Sequence, residues 1–143
     1  MSGLALERII YASTATQGSP SLQSIAEIIA VSDRNNRRDD ITGALLIGNS
    51  RYLQILEGAK QDLDRTLERI VKDPRHTGLR TINRRRVERR AFAEWGMVRA
   101  AKATKQEIVI SELIAFSKAD PDYVIDRVQA MLADERAALE LLS

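Results

Sequence analysis

The strongest constraint on this chain is the way its hydrophobic pattern changes period between residues 6 and 99. Leu6–Ser13 (LERIIYAS) alternates as a strand does, with Leu6, Arg8, Ile10 and Ala12 on one face and Ile9 and Tyr11 on the other. Apolar residues on both faces imply that both are at least partly covered. Gly18-Ser19-Pro20 then punctuates, and Ser19 as N-cap with Pro20 at the first helical position starts a helix. Leu22, Ile25, Ile28, Ile29 and Ser32 recur at helical spacing, and this helix ends near Asn35-Asn36. Ile41–Ile47 (ITGALLI) and Tyr52–Leu56 (YLQIL) flank Gly48-Asn49-Ser50, the chemistry of a hairpin, and Gly58 closes the second strand. Leu63, Leu67, Ile70 and Val71 mark a second amphipathic helix, with Asp62 and Asp64 where the helix dipole favours acids and Pro74 as its stop. Two further strands are predicted over Leu79–Glu88 and Glu94–Arg99.

The order β-α-β-β-α-β-β predicts an α+β fold: a ferredoxin-like sandwich, an antiparallel-rich sheet with two helices on one face. Beyond Ala100 the pattern turns helical. Ile108, Leu113 and Phe116 belong to a helix over Glu107–Phe116; Asp120 then caps another that begins with Pro121 and carries Val124, Ile125, Val128, Met131 and Leu132. These two C-terminal helices cover the open sheet face or a partner chain. Residues 101–143 carry an acidic excess against a basic excess in residues 1–100, which suits a tail that folds back on the basic part.

Composition narrows the chemistry. The 143 residues contain no Cys, which excludes a disulfide scaffold, thiolate zinc, an iron–sulfur cluster and a cysteine nucleophile, and the lone His76 argues against a His-rich metal site or a Ser-His-Asp centre. No metal site is expected. His76 falls in a loop after Pro74, Asp39-Asp40 in a turn, and the seven glycines form no phosphate-cradling pattern. No enzyme activity is expected. No apolar run is long enough to cross a bilayer. Met1–Arg8 lacks the basic-then-apolar pattern of a leader, so the expected location is cytoplasmic.

The unusual polar residues sit inside the strands. Gln54 interrupts a run able to bury both faces, and a buried amide left without a partner costs about 1–3 kcal/mol. Tyr11 stands among apolar neighbours, and its phenol needs a partner too. Asn35 and Asn36 could face the rim of the sheet from the end of the first helix. Read singly, each is equally an ordinary core tyrosine, helix-ending asparagine or edge-strand glutamine.

Read together they carry more. Ile10-Tyr11-Ala12-Ser13, Ser32-Asp33-Arg34-Asn35-Asn36 and Asp40-Ile41-Thr42-Gly43-Ala44-Leu45-Leu46 are followed by Leu53-Gln54-Ile55-Leu56-Glu57-Gly58, Asp73-Pro74-Arg75-His76 and Phe92-Ala93-Glu94-Trp95-Gly96-Met97. This string resembles the BLUF family of flavin-binding blue-light sensors over roughly residues 6–100, with RNN, DITG, LQILEG and W-x-M as its specific parts. The resemblance implies a flavin-binding domain over residues 1–100 and a helical extension over 101–143 for capping, oligomer contact or coupling. It implies an oxidised flavin held without a covalent link between Leu22–Asn36 and Lys60–Asp73. FAD is the first choice, with FMN or riboflavin as the alternatives.

By position, Asn36 bonds the C4=O/N3–H edge of the ring and Asn35 holds it near the ribityl side, since an amide offers both an acceptor and two donors. Ile28, Ile29, Leu45 and Ile70 are the apolar walls, and Arg69 or Arg34 pairs with a flavin phosphate. Tyr11 corresponds to the photoactive tyrosine and Gln54 to the switching glutamine, whose rearrangement after electron and proton transfer gives a red-shifted state. Trp95 and Met97 occupy the signal-relaying strand. The expected partner is a separate signalling protein, a cyclic-di-GMP phosphodiesterase or a response-regulator-like protein being the family-level choices, with a homo-oligomer expected. About forty residues beyond the sensor core are too few for an effector enzyme, so a stand-alone type is expected. The competing reading is a ferredoxin-like nucleic-acid module using Arg84, Arg85, Arg86, Arg89 and Arg90. Such sheets display stacking aromatics, which the last two predicted strands lack.

Overall fold

The computed structural model describes residues 5–16, 21–48, 50–74, 76–99 and 106–142. Strand β1 spans Leu6–Ala15 and helix α1 Leu22–Arg38. Strands β2 (Thr42–Gly48) and β3 (Arg51–Ala59) lead straight into α2 (Lys60–Val71). Then come β4 (His76–Val87), a two-residue β5 (Val98–Arg99), α3 (Gln106–Ser117) and α4 (Pro121–Leu142).

The strands form one sheet in the order β4-β1-β3-β2-β5, in which the first four pair antiparallel and β5 joins β2 in parallel. The predicted ferredoxin-like arrangement is thus the one adopted. A register shift between Ile10 and Tyr11 leaves Ile82 as an extra residue on β4, a bulge beside Tyr11.

Both sheet faces are covered, as the apolar residues on both faces of β1 require. Ile9, Tyr11, Leu45 and Leu56 form one core with Ile25 of α1 and Leu63 of α2. Ile10, Ala44, Leu46, Leu53 and Ile55 form the other with Ile110 and Leu113 of α3 and Val124, Ile125 and Val128 of α4. The C-terminal helices therefore close the face that α1 and α2 leave open. The acidic tail meets the basic strand where Asp122 of α4 pairs with Arg85 of β4.

Several boundaries differ from the sequence reading. Ser19, Pro20 and Asn49 lie outside the described residues, and α1 is capped by Ser21, whose hydroxyl accepts from the Ser24 N–H at 3.1 Å. The helix continues to Arg38, so Asn35 and Asn36 lie within its last turns rather than at its end. His76 opens β4 instead of lying in a loop. Asp120 does cap α4, accepting from the Tyr123 N–H at 3.2 Å.

The largest difference concerns Glu94–Arg99, which is extended only at Val98–Arg99. The peptide group between Gly96 and Met97 is bonded on both sides by α1 instead. Asn36 Nδ2 donates to the Gly96 carbonyl at 2.8 Å, and Asp33 Oδ1 accepts from the Met97 N–H at 3.1 Å. A peptide held by helix side chains is not available to a strand ladder. No helix among the described residues is long and apolar enough to cross a membrane.

Candidate functional site

The strand register builds the floor of the site. Tyr11 on β1 lies opposite Gln54 on β3, and Gln54 lies opposite Leu45 on β2, so three sequence-distant side chains form one row under α1 and α2. Above this row a cleft of about 110 Å³ runs between the two helices. Helix α1 contributes Ile28, Val31, Ser32, Asn35 and Asn36. Helix α2 contributes Thr66, Arg69 and Ile70, with Asp73 just beyond. Ser13, Leu45, Tyr52 and Gln54 come from the sheet.

Most of the predicted residues therefore converge. Ile28, Asn35, Asn36, Leu45, Gln54, Arg69 and Ile70 share the cleft wall. Tyr11 lies beneath it, 1% exposed. Ile29, expected as a wall, packs into the core on the same side of the sheet. Sequence reading gave no binding role to Val31, Ser32, Thr66 or Asp73; for Val31, Ser32 and Thr66, their spacing from Ile28, Asn35 and Ile70 on the same helix faces was the signal available.

The polar groups are unequally satisfied. The Tyr11 hydroxyl is buried without a hydrogen-bond partner among the described residues. Burial, and secondarily the negative charge of Asp73, push its phenol well above the usual tyrosine value, so it stays protonated. Gln54 donates from Nε2 to Met97 Sδ at 3.7 Å. Met97 is buried on the cleft side, whereas Trp95 packs against the α3/α4 core. Asn36 is nearly buried; with one Nδ2 hydrogen given to Gly96, it keeps a second N–H and its carbonyl oxygen for a ligand. Asp39, the C-cap of α1, reaches Arg69 of α2 at 3.1 Å and joins the helices across the mouth. The Arg38 guanidinium beside it, aided by Arg69 against partial burial, holds its carboxyl at about 2.

Below this chemistry lies a structural hub. Glu57, fully buried, accepts from Arg8 Nε at 2.8 Å and from the Ala91 and Phe92 N–H groups at 2.7 and 2.8 Å. It pins the segment after β4 to β3, three residues from Gln54.

Ile28, Val31, Leu45 and Ile70 on the walls, the Asn35 and Asn36 amides beside them and an orphaned phenol beneath offer apolar contact together with donors and acceptors, the combination that a planar heteroaromatic ring with polar edges uses. A family profile described as sensors of blue-light using FAD matches residues 6–98. The chain belongs to the BLUF family. This BLUF chain is 34% identical over 98 residues to the photoactivated adenylate cyclase subunit beta of Euglena longa, a match covering 68% of this chain and 11% of that protein. It is 30% identical over 92 residues to the blue light- and temperature-regulated antirepressor BluF of Escherichia coli (strain K12), covering 64% and 23%. The chain thus spans under a quarter of these curated relatives. Among solved structures, a bacterial light-regulated adenylyl cyclase superposes with a TM-score of 0.67 at 28% identity, over 88% of this chain and 40% of that one. The dark-state structure of the BLUF protein BlrB superposes with a TM-score of 0.72 over 92% and 98%; at 22% identity that likeness speaks to the fold.

Proposed function

We propose that this BLUF chain is a non-enzymatic blue-light receptor in which Tyr11 and Gln54 are the switching pair. The observation that carries the reading is the buried Tyr11 hydroxyl, without a partner and in register with Gln54 at the floor of the cleft. Asn36 and Asn35 would hold the ring edge of a flavin, Ile28, Leu45 and Ile70 its faces, and Arg69 a phosphate at the mouth. A bound oxidised flavin supplies blue-light absorption and, once excited, a strong one-electron oxidant. FAD is the favoured form, with FMN and riboflavin as alternatives.

With a flavin in the cleft, Tyr11 would supply the electron to the excited ring, and its oxidised phenol would be acidic enough to release to that same acceptor the proton that burial otherwise holds on it. Gln54 is the neighbour through which that proton and its hydrogen bond can pass. Its amide has a donor end and an acceptor end, so turning it exchanges their places without breaking a covalent bond. The turn also withdraws Nε2 from Met97, which begins the signal in the Trp95–Met97 segment. Residues 101–143 act as the coupling extension: Gln129 of α4 donates to the Ala91 carbonyl at 3.1 Å, on the segment that Glu57 pins.

The output partner is a separate signalling protein in the cytoplasm, of the cyclic-di-GMP phosphodiesterase or response-regulator-like kind, and the chain works as a homo-oligomer. A nucleic-acid role has less support. Arg84 is tied to Glu7 and Asp64, Arg85 to Asp122, and Arg90 to the Glu57 and Asp40 carbonyls.

The test is an absorption spectrum of the flavin-loaded protein in darkness and under blue light. A small red shift that relaxes in darkness is expected, and Gln54→Leu should stay yellow and lose the shift. A protein still colourless after refolding with FAD, FMN and riboflavin in turn would overturn the proposal.

A further inference from the structure

Residues two apart on an extended strand share a face. Trp95 and Met97 do not: Met97 belongs to the core under α1 and α2, and Trp95 packs against the core under α3 and α4. The chain turns over at Gly96, where one peptide group is gripped from both sides by residues one turn apart on α1. Asn36 takes its carbonyl and Asp33 its N–H. The fit leaves no room for a side chain, since a Cβ on Gly96 would lie 2.6 Å from the Asp33 carbonyl oxygen and 2.7 Å from Asp33 Oδ1. The Trp95 carbonyl, just before, accepts from the Gly43 N–H at 3.0 Å. Arg37 holds the Asp33 carboxylate from the solvent side, with Nε 3.0 Å from each oxygen.

We propose that Asp33 is a positioning residue of the light switch: by fixing the Gly96–Met97 peptide on α1 it keeps Met97, and not Trp95, beside Gln54. The inference rests on the Tyr11–Gln54 reading for its functional meaning, but its geometric claim can be read without flavin. Without the Asp33 acceptor the Met97 N–H loses its bond, and residues 94–99 are free to extend along β2. Extension would bring Trp95 and Met97 to one face and make them competitors for the place at Gln54.

Trp95 is the sole tryptophan of the sequence, so its fluorescence reports the segment directly. The experiment compares Asp33→Ala, Asp33→Asn, Asp33→Glu and Arg37→Ala in the full chain. Acrylamide quenching of Trp95 is measured without flavin, and dark recovery after blue light with flavin. Asp33→Ala is expected to change the quenching constant at least twofold. It should also change the dark-recovery rate about tenfold, the size of effect expected from losing one hydrogen bond to a charged group. Asp33→Asn keeps an oxygen for the Met97 N–H, and Arg37→Ala keeps the carboxylate, so both should stay within about twofold of the parent. Asp33→Glu keeps the charge but displaces the acceptor; it should behave as Asp33→Ala does, and it carries the test if Asp33→Ala fails to fold. The proposal is overturned if both Asp33→Ala and Asp33→Glu match the parent, if Asp33→Asn is as disturbed as Asp33→Ala, or if Arg37→Ala alone reproduces the effect. Absence of a red shift in every protein, the parent included, would sink the photoreceptor reading, while flavin-free quenching would still decide the role of Asp33.

Discussion

Tyr11→Phe should act in opposite directions on stability and on photochemistry. The ring is 1% exposed and packed in the core under α1 and α2, and phenylalanine keeps that packing. What is removed is a hydroxyl with no partner among the described residues. A buried donor left unsatisfied costs about 1–3 kcal/mol, so the flavin-free variant should gain about that much. For a denaturation slope of about 2 kcal/mol/M, the urea midpoint should rise by roughly 0.5–1.5 M. Flavin-loaded protein should show the reverse sign, because the hydroxyl then has a polar neighbour and its loss costs about 0.5–1.5 kcal/mol. The same variant should bleach no tyrosine signal under blue light and form no red-shifted state. Far-UV circular dichroism and Trp95 fluorescence, followed together in urea with and without flavin, test both signs. A flavin-free Tyr11→Phe protein destabilised by more than about 1 kcal/mol would show that the hydroxyl is satisfied, and the argument from an orphaned phenol would fail.

Other substitutions probe the frame around the site. Glu57→Ala takes the carboxylate from Arg8, which is only 7% exposed and keeps a bond to the Arg89 carbonyl, and strands two backbone N–H groups; it should cost about 3–5 kcal/mol in urea denaturation, and a loss under about 1.5 kcal/mol would refute the hub. Gly96→Ala sets a methyl group against the Asp33 backbone and should cost about 1–3 kcal/mol while shifting the Trp95 emission maximum; an unchanged emission spectrum would argue against the close approach. Acid should weaken the fold through Asp39, Asp64 and Asp33. Asp39 is held at about 2 chiefly by Arg38, and Asp64 is lowered chiefly by Lys60 and then Arg84; at Asp33 the bonds from Arg37 and the Met97 amide outweigh the opposing effect of burial. These carboxyls stay charged in the folded chain at pH values where the unfolded chain has taken up protons, so their contribution is present above about pH 4 and lost as the pH falls towards about 2. A urea midpoint that stays flat from pH 5 to pH 2.5 would contradict that sign.

The sequence by itself determined the order of elements and the two-sided burial of the sheet. Periodicity and capping are local: the two apolar faces of β1, the helical spacing of Leu63, Leu67 and Ile70, and the Asp120-Pro121 start of α4 all survive in the folded chain. The motif residues that mark the family also lay in plain view, because family signatures are linear. Only the tertiary structure decided which of them meet. Tyr11, Gln54 and Leu45 become neighbours through antiparallel register, which a pairing slip of one residue would destroy. The last predicted strand failed for the same reason in reverse. Glu94–Arg99 has the composition of a strand, but its central peptide finds better partners in Asn36 and Asp33, some sixty residues away in sequence. A hydrogen bond of that range leaves no trace in local propensity, and it is what separates Trp95 from Met97 and places Met97 beside Gln54.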